Sequence, residues 1–145
     1  MSRVERSALV RHSATRMFAL VNEVGDYPGR FPWCESAAVA ERGDDWMLAR
    51  LDVRFAGMRT SFATRNVWQT DRRIDLSLVD GPFSELSGSW QFLPLAEDAC
   101  KVSLLLDFDV AGRWLGTALA TGFRGLADRM VDDFVRAAAP RRADG

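Results

Sequence analysis

The chain has 145 residues, of which 48% are hydrophobic and 27% charged, and this composition predicts a single globular domain with a sizeable core. A formal net charge of -1 excludes a bulk attraction to nucleic acid or to anionic membranes. The two cysteines form neither a C-x-x-C motif nor a disulfide framework, and the first ten residues lack the apolar core of a secretory signal. We therefore expect a reducing, cytoplasmic setting.

The chain begins with a candidate strand and a candidate helix. Val4–Val10 places apolar residues on one face, which is typical of a half-buried strand. Ser13 is a suitable N-cap, because its hydroxyl can accept a hydrogen bond from a free backbone N–H of the first helical turn. Apolar residues at near-helical spacing then predict a short helix that runs to about Asn22 and is ended by Gly25.

The next segment, residues 25–34, reads GDYPGRFPWC and is predicted to form a loop. Its two prolines and two glycines forbid a long regular helix. Tyr27, Phe31 and Trp33 are nevertheless large and apolar, so we expect this loop to pack on the rest of the protein. It would then form one rim of any opening into the interior.

Beyond residue 34 the apolar residues recur at every second position, which is typical of antiparallel strands with one buried face. Ala56 and Gly57 separate two such runs and predict a two-residue hairpin turn. Pro94 is expected to stop the sixth strand, because proline cannot donate to a neighbouring strand. In chain order, the strands after the first are predicted to begin at Glu35 and then to span Trp46–Phe55, Met58–Trp68, Ile74–Leu78, Leu86–Phe92 and Val102–Val110.

The last element is a long helix over Arg113–Ala139, whose apolar residues form a broad stripe at helical spacing. Gly116, Gly122 and Gly125 weaken its first half, because each glycine in a helix interior costs roughly 1 kcal/mol relative to alanine. Antiparallel strands with helices on a single face give an α+β fold. The predicted architecture is therefore a curved sheet covered by one long C-terminal helix.

The sequence contains no motif for a nucleotide, a metal or an activated nucleophile. It has no phosphate-binding glycine loop and no G-x-S-x-G elbow, and its single histidine, His12, has no ligand partner at motif spacing. Asp107 and Asp109 alternate with apolar neighbours and should point away from the core, and Asp80 precedes Gly81 as a turn residue. We therefore expect no metal, no cofactor and no catalytic residue.

The inward-facing side chains leave two interpretations open. Aromatic residues in such a pattern usually form a solid core, but the glycines of the last helix could allow it to loosen over a ligand cavity. Thr64 and Asn66 fall on the same apolar face, where they either satisfy buried backbone groups or bind the polar head of a ligand. The predicted ligand-binding residues are Phe31, Trp33, Phe62, Thr64, Asn66, Trp90, Phe92, Phe108, Leu119, Phe123, Leu126 and Met130.

The outward face of the predicted sheet carries four arginines, Arg50, Arg54, Arg59 and Arg65, which we call the basic stripe. With a two-residue turn between their strands, Arg54 lies opposite Arg59, and like charges in this arrangement are unfavourable. The basic stripe could meet RNA phosphates or lipid head groups, although two nearby aspartates dilute its charge. A solvated face is the alternative interpretation.

A series of short motifs runs in order through nearly the whole chain. They are Tyr27-Pro28 with Pro32-Trp33-Cys34, Phe55-x-Gly57, Ser61-Phe62-x-Thr64-Arg65-Asn66, Val79-Asp80-Gly81-Pro82-Phe83, Leu86-x-Gly88-x-Trp90-x-Phe92 and Cys100-Lys101-Val102. Together they resemble the coenzyme Q-binding family, whose first such segment reads Y-P-x-F-L-P-W-C. One departure is Arg30, which stands where the family pattern has phenylalanine and puts a charge near the proposed rim.

The resemblance implies the START-like, helix-grip fold of the superfamily also called polyketide cyclase/dehydrase. In that fold a seven-stranded antiparallel sheet wraps around the C-terminal helix, two short helices lie between strands 1 and 2, and a hydrophobic tunnel runs inside. Residues 1–139 would form this single domain, and residues 140–145 would be a disordered tail.

The resemblance also implies three hypotheses for function. The first is a non-enzymatic carrier that binds a polyprenyl quinone, ubiquinone above all, and supports respiration or quinone biosynthesis from the cytoplasm, with transient contact at the inner-membrane surface. The second is a ribosome-association toxin that binds the large ribosomal subunit and blocks subunit association, because bacterial members of the family also carry that description. The third, an aromatic polyketide cyclase or dehydratase, is disfavoured by the lack of a placed acid–base pair. DNA is not expected as a partner.

Overall fold

The computed structural model describes residues 2–112 and 116–139. The predicted first turn of the last helix, residues 113–115, and the predicted tail, residues 140–145, lie outside the described residues. The elements, in chain order, are β1 (Ser2–Val10), α1 (Ala14–Asn22), a 3-10 turn (Val24–Asp26), α2 (Tyr27–Arg30), β2 (Cys34–Arg42), β3 (Trp46–Phe55), β4 (Met58–Gln69), β5 (Arg73–Asp80), β6 (Phe83–Ala96), β7 (Ala99–Val110) and α3 (Gly116–Ala138).

The seven strands form one antiparallel sheet in the order β1-β7-β6-β5-β4-β3-β2. From β2 to β7 each strand pairs with the next one along the chain, so these contacts arise from simple hairpins. β1 is the exception, because it pairs with β7 at the far end of the chain. The predicted α+β fold, with a seven-stranded sheet and a long C-terminal helix, is confirmed.

Two local predictions agree closely with the structure. The β3–β4 hairpin turns at Ala56 and Gly57, whose φ angles of 51° and 77° match the twist that joins two antiparallel strands. This turn sets the register that places Arg54 directly opposite Arg59. At the start of α1, the hydroxyl of Ser13 accepts a hydrogen bond from the backbone N–H of Arg16 at 3.1 Å.

The predicted stops at Pro94 and Gly25 are wrong, and the predicted loop of residues 25–34 contains α2 and part of the 3-10 turn. β6 does not stop at Pro94 but continues to Ala96, and the pairing with β7 shifts register between these two residues. Such a bulge tolerates a residue that has no N–H to donate. α1 ends at Asn22, and Gly25 lies within the 3-10 turn that follows instead of ending the helix.

α3 covers the inner face of the sheet unevenly. It packs mainly on β1, β7 and α1, and it meets β3 over a much shorter stretch. Its buried side chains recur at helical spacing, at Leu119, Phe123, Leu126, Ala127, Val131, Phe134 and Ala138. The helix therefore sits towards one edge of the sheet, and space under the central strands has to be filled by long side chains. None of the helices in the described part of the chain has the length and apolar content that a membrane-spanning helix needs.

Candidate functional site

Phe123 projects from the first half of α3 into a group of four other phenylalanines, which we call the Phe123 cluster. Its ring centroid lies 4.9 Å from those of Phe83 and Phe108, 5.9 Å from that of Phe62 and 6.2 Å from that of Phe55. All four pairs are edge-to-face, which is a favourable arrangement for aromatic rings. The cluster attaches the first half of α3 to strands β3, β4, β6 and β7.

Phe134 occupies the equivalent place in the second half of α3, and its surroundings form the Phe134 cluster. Its ring centroid lies 4.6 Å from that of Phe31, 5.2 Å from that of Trp90 and 5.3 Å from that of Tyr27. Phe31 also stacks on Trp33, with centroids 4.9 Å apart and planes 10° from parallel. The aromatic loop therefore packs into the core, as its composition indicates.

Hydrogen bonds hold the polar atoms of this loop. Trp33 Nε1 donates to Asp133 Oδ2 of α3 at 3.0 Å, and the hydroxyl of Tyr27 donates to the backbone carbonyl of Val21. Burial raises the pKa of Tyr27 far above its usual value, so this phenol stays protonated. The loop is thus tied to both α1 and α3.

Between the Phe123 cluster and the Phe134 cluster lies a largely enclosed cavity of about 70 Å³. Its walls come from α1, the central strands and the inner face of α3. An apolar cavity of roughly 150 Å³ is needed to hold a benzene molecule, and drug-sized ligands occupy roughly 300 Å³ or more. In place of the tunnel expected from the resemblance, this structure has a largely enclosed cavity smaller than a quinone ring.

One polar pair faces this cavity. Thr64 and Asn66, two residues apart on β4, point inward together and are 8% and 6% exposed. The Thr64 hydroxyl donates to Asn66 Oδ1 at 2.6 Å. The pair thus satisfies the amide oxygen internally and leaves the amide nitrogen of Asn66 for another partner.

A second, open space lies on the outer side of α3. This groove, of about 800 Å³, runs between the β3–β4 hairpin and the glycine-bearing face of α3. Phe55 lines the groove and also packs on Phe123, which lines the cavity. Gly122 and Gly125 form part of the groove wall on the helix side. The rings of Phe55 and Phe123, one behind the other, therefore stand between the groove and the cavity.

The cavity offers little for acid–base chemistry. Among the described residues that line it, none carries a carboxylate, an amine, a guanidinium or an imidazole, and Tyr27 is held protonated. Both cysteines are buried thiols, as predicted; burial raises the pKa of Cys34 to about 11 and also raises that of Cys100. Within residues 2–112 and 116–139 no group of three or more metal-binding side chains comes together.

Residues 10–135 match the family described as polyketide cyclase/dehydrase and lipid transport. The chain belongs to this family. It is 44% identical over 138 residues to the ribosome association toxin RatA of Vibrio cholerae, a match that covers 95% of this chain and 96% of the relative. The resemblance drawn from the motifs is therefore confirmed at the level of the family.

Solved structures of this family's fold superimpose over nearly the whole chain. The Zhui aromatase/cyclase from Streptomyces sp. R1128 matches with a TM-score of 0.87 at 20% identity, covering 99% of this chain and 98% of that one. A START superfamily protein from Mycobacterium smegmatis matches with a TM-score of 0.75 at 21% identity, covering 93% and 92%. At these identities the likeness shows the fold alone, and it confirms the START-like prediction.

The basic stripe is only partly neutralised in this member of the polyketide cyclase/dehydrase and lipid transport family, because three of its four arginines pair with two carboxylates, Glu35 and Asp80. Arg54 and Arg59 share Glu35, at 3.9 Å and 3.0 Å. Arg50 pairs with Asp80 at 2.9 Å, and the Arg65 guanidinium lies over the Trp46 ring, 4.6 Å from its centroid. The stripe is exposed as predicted, but acidic or aromatic partners already contact each of its four cations.

The structure brings together half of the residues predicted to bind a ligand. Those that line the cavity are Phe62, Thr64, Asn66, Trp90, Phe123 and Met130. The others lie elsewhere: Phe31 and Trp33 in or beside the Phe134 cluster, Phe108 in the Phe123 cluster, Phe92 against Phe18 under α1, Leu119 buried on α3, and Leu126 beside the groove. A ligand-binding role stays a prediction for all twelve.

Sequence reasoning missed several wall residues of the cavity. Val21 and Val24 come from α1 and the turn after it, and Tyr27 comes from α2. Leu76, Leu104 and Leu106 come from the inner faces of β5 and β7. The period-two pattern already marked the strand residues as inward-facing, whereas the approach of α1 depends on long-range packing that no local pattern encodes.

Proposed function

We propose that the protein is a non-enzymatic carrier that encloses a lipophilic ligand, with a polyprenyl quinone such as ubiquinone as its cargo. The observation that carries the proposal is the cavity between the two aromatic clusters, whose walls are apolar apart from a few polar atoms. Each buried CH₂ group contributes about 0.8 kcal/mol, so a prenyl chain would supply most of the affinity. Membership of a family described in part by lipid transport supports the same function.

Loading a ligand requires the interior to expand, because about 70 Å³ does not hold a quinone ring. We expect the wall to open at the contact between Phe55 and Gly122. The Phe55 ring rests there on bare helix backbone, and the groove lies directly outside it. Rotation of this ring together with that of Phe123 would connect the groove to the cavity, and the low helix propensity of Gly122 and Gly125 reduces the cost of loosening α3.

A carrier fits the site better than a cyclase or dehydratase does. Acid–base catalysis needs a group whose pKa lies near the working pH and which reaches the reacting atom. Tyr27 is the one ionisable side chain among the described wall residues. Its pKa is strongly raised, and its hydroxyl donates a hydrogen bond to a backbone carbonyl. A quinone carrier needs no such group, and it would act in the cytoplasm with transient contact at the inner-membrane surface.

The direct test is organic extraction of protein purified from a host that makes ubiquinone, followed by mass spectrometry of the extract. We expect ubiquinone in the extract, and we expect added quinone to quench tryptophan fluorescence, because Trp90 lines the cavity. A Phe62→Ala variant should carry altered amounts, whereas Leu9→Ser, on the exposed outer face, should not. Absence of quinone from the extract, together with no binding of added quinone, would rule out this function.

A second candidate function is association with the large ribosomal subunit. The observation that favours it is the 44% identity, over nearly the full length of both chains, to a relative named a ribosome association toxin. The basic stripe offers the most plausible surface for rRNA phosphates. Its arginines would first have to exchange partners such as Glu35 and Asp80 for phosphates, so we expect binding that weakens steeply with salt.

Co-sedimentation with purified large subunits tests this second function. Arg59→Glu reverses an exposed charge of the stripe, and Arg72→Glu makes the same charge change at the β4–β5 turn as a matched control. We expect the first variant to lose co-sedimentation at low salt and the second to retain it. If the unmodified protein fails to sediment with subunits even at low salt, ribosome association is not its function.

A further inference from the structure

Asn66 has an amide nitrogen that the protein itself leaves unused. Its Oδ1 accepts a hydrogen bond from the Thr64 hydroxyl, with the two oxygens 2.6 Å apart, so only the two N–H groups of Nδ2 remain to be paired. Within residues 2–112 and 116–139 these N–H groups find no acceptor, and the side chain faces the cavity while 94% buried from solvent. Among the described residues the fully buried side-chain atoms without a partner are Asn22 Oδ1 and Arg30 Nη1, so Asn66 Nδ2 keeps accessible surface, and a ligand oxygen that enters the cavity can pair with it.

The surroundings of this amide determine the kind of ligand oxygen to which its N–H groups can donate. No charged side chain is present among the described wall residues, and most of these residues are aromatic or aliphatic. A carboxylate or phosphate that entered would lose its hydration without gaining a cation, which is strongly unfavourable. A carbonyl oxygen loses far less on leaving water and pairs well with an N–H donor.

We infer that the cavity selects a neutral head group bearing a carbonyl oxygen, which Asn66 Nδ2 holds by a hydrogen bond, and that it rejects lipids with ionised heads. This inference rests on the proposed carrier function and narrows it. Fatty acids and lysophospholipids are excluded as head-first ligands, whereas quinones and other neutral ketones are accepted. Thr64 acts as a positioning residue, because its hydroxyl holds the amide in the orientation that turns Nδ2 towards the cavity.

The test compares three ligands of similar length by isothermal titration calorimetry at pH 8: decylubiquinone, dodecanoate and dodecylbenzene. The unmodified protein should bind decylubiquinone at least about tenfold more tightly than dodecanoate. Asn66→Leu keeps the branched shape and removes the donor, so it should weaken decylubiquinone binding about tenfold and leave dodecylbenzene within about twofold. Thr64→Val should weaken the quinone less than Asn66→Leu does.

A second readout does not depend on the stability of the variant. The carbonyl stretch of bound decylubiquinone, measured by infrared difference spectroscopy, should shift to lower frequency in the unmodified protein and lose that shift in Asn66→Leu. Equal binding of dodecanoate and quinone, or equal losses of quinone and hydrocarbon in Asn66→Leu, would overturn the inference while leaving a carrier in place. Failure of the unmodified protein to bind any of the three ligands would overturn the carrier function itself.

Discussion

The ring of Phe55 rests directly on the backbone of α3 at Gly122. A methyl group added to Gly122 would lie 2.5 Å from Cδ2 and 2.7 Å from Cε2 of that ring, well inside van der Waals contact. Gly125, one turn further along α3, is different, because an added methyl group would have no neighbour within 4 Å. Comparing substitutions at these two glycines, which lie on one helix face, thus separates the effect of the close contact from the effect of helix propensity.

We predict opposite effects of alanine at these two positions. Gly125→Ala should raise the free energy of unfolding by about 1 kcal/mol, because alanine is the better helix former. Gly122→Ala gains the same propensity but must displace the Phe55 ring, and overpacking costs about 1–3 kcal/mol, so its net effect should be neutral to destabilising. Urea denaturation followed by circular dichroism measures both.

The same contact can be checked by removing the ring. In a Phe55→Ala background, Gly122→Ala should become stabilising by about as much as Gly125→Ala. The clash with the ring is then absent, and only the gain in helix propensity remains. If Gly122→Ala is equally unfavourable with and without the ring, the two residues do not interact as described. Gly125→Ala should have the same effect in both backgrounds.

Gly88 occupies a place in β6 that has no room for a side chain. An added methyl group would lie 2.5 Å from the backbone oxygen of Leu105 and 2.8 Å from Cδ1 of Leu106, both on β7. Because a backbone oxygen cannot rotate away, Gly88→Ala should destabilise the protein by about 2 kcal/mol or more, measured as a lowered urea midpoint. Ser87→Ala, on the same strand, should change it by less than about 0.5 kcal/mol, and comparable losses in both variants would contradict this account.

The Trp33–Asp133 hydrogen bond links the aromatic loop to α3, and Asp133 also pairs with Arg136. Asp133→Ala should lower the free energy of unfolding by about 1–3 kcal/mol, because the Trp33 N–H would be left without its charged acceptor. Trp33→Phe removes the donor but keeps a ring to stack on Phe31. A thermodynamic cycle of the two substitutions should give a coupling energy clearly above zero, and strict additivity would show that the bond contributes nothing.

Much of the fold was predictable because local patterns and packing agree. The period-two runs located the strands, and the Ala56–Gly57 turn fixed the register of Arg54 against Arg59. Pro94 was misjudged, since a bulge near the end of β6 removes the need for the N–H that proline lacks. The local sequence encodes the geometry of a turn and the face of the sheet on which a side chain lies. It does not encode where a shift in strand register allows proline to remain within a strand.

The interior was harder to predict than the sheet. Alternation along β4 predicts that Phe62, Thr64 and Asn66 share the inward face, because alternate side chains of a strand point to the same side. All three line the cavity. Alternation does not decide how deeply each aromatic side chain is packed, so Phe92 and Phe108 proved to lie in solid core instead. Cavity walls depend on how far α1 and α3 approach the sheet, which is set by side chains from distant parts of the chain.

Cys34 provides a prediction about pH. Burial, and secondly the nearby Asp52 carboxylate, raise the pKa of the Cys34 thiol to about 11, above the value near 8.5 expected for an unfolded chain. The folded protein therefore retains this proton to higher pH than the unfolded one. Its contribution to stability is fully present below pH 8.5 and is lost as the pH rises towards 11.

Alkylation by iodoacetamide, followed by peptide mass spectrometry, reports this directly because only the thiolate reacts. In the native protein at pH 8 about one thiol in a thousand is ionised, so modification of Cys34 should be slow and should accelerate about tenfold per pH unit up to pH 11. Asp52→Asn removes the second cause and should increase the rate at pH 8. Native Cys34 that reacts at pH 8 as fast as in urea-denatured protein would show that its thiol is neither buried nor shifted as described.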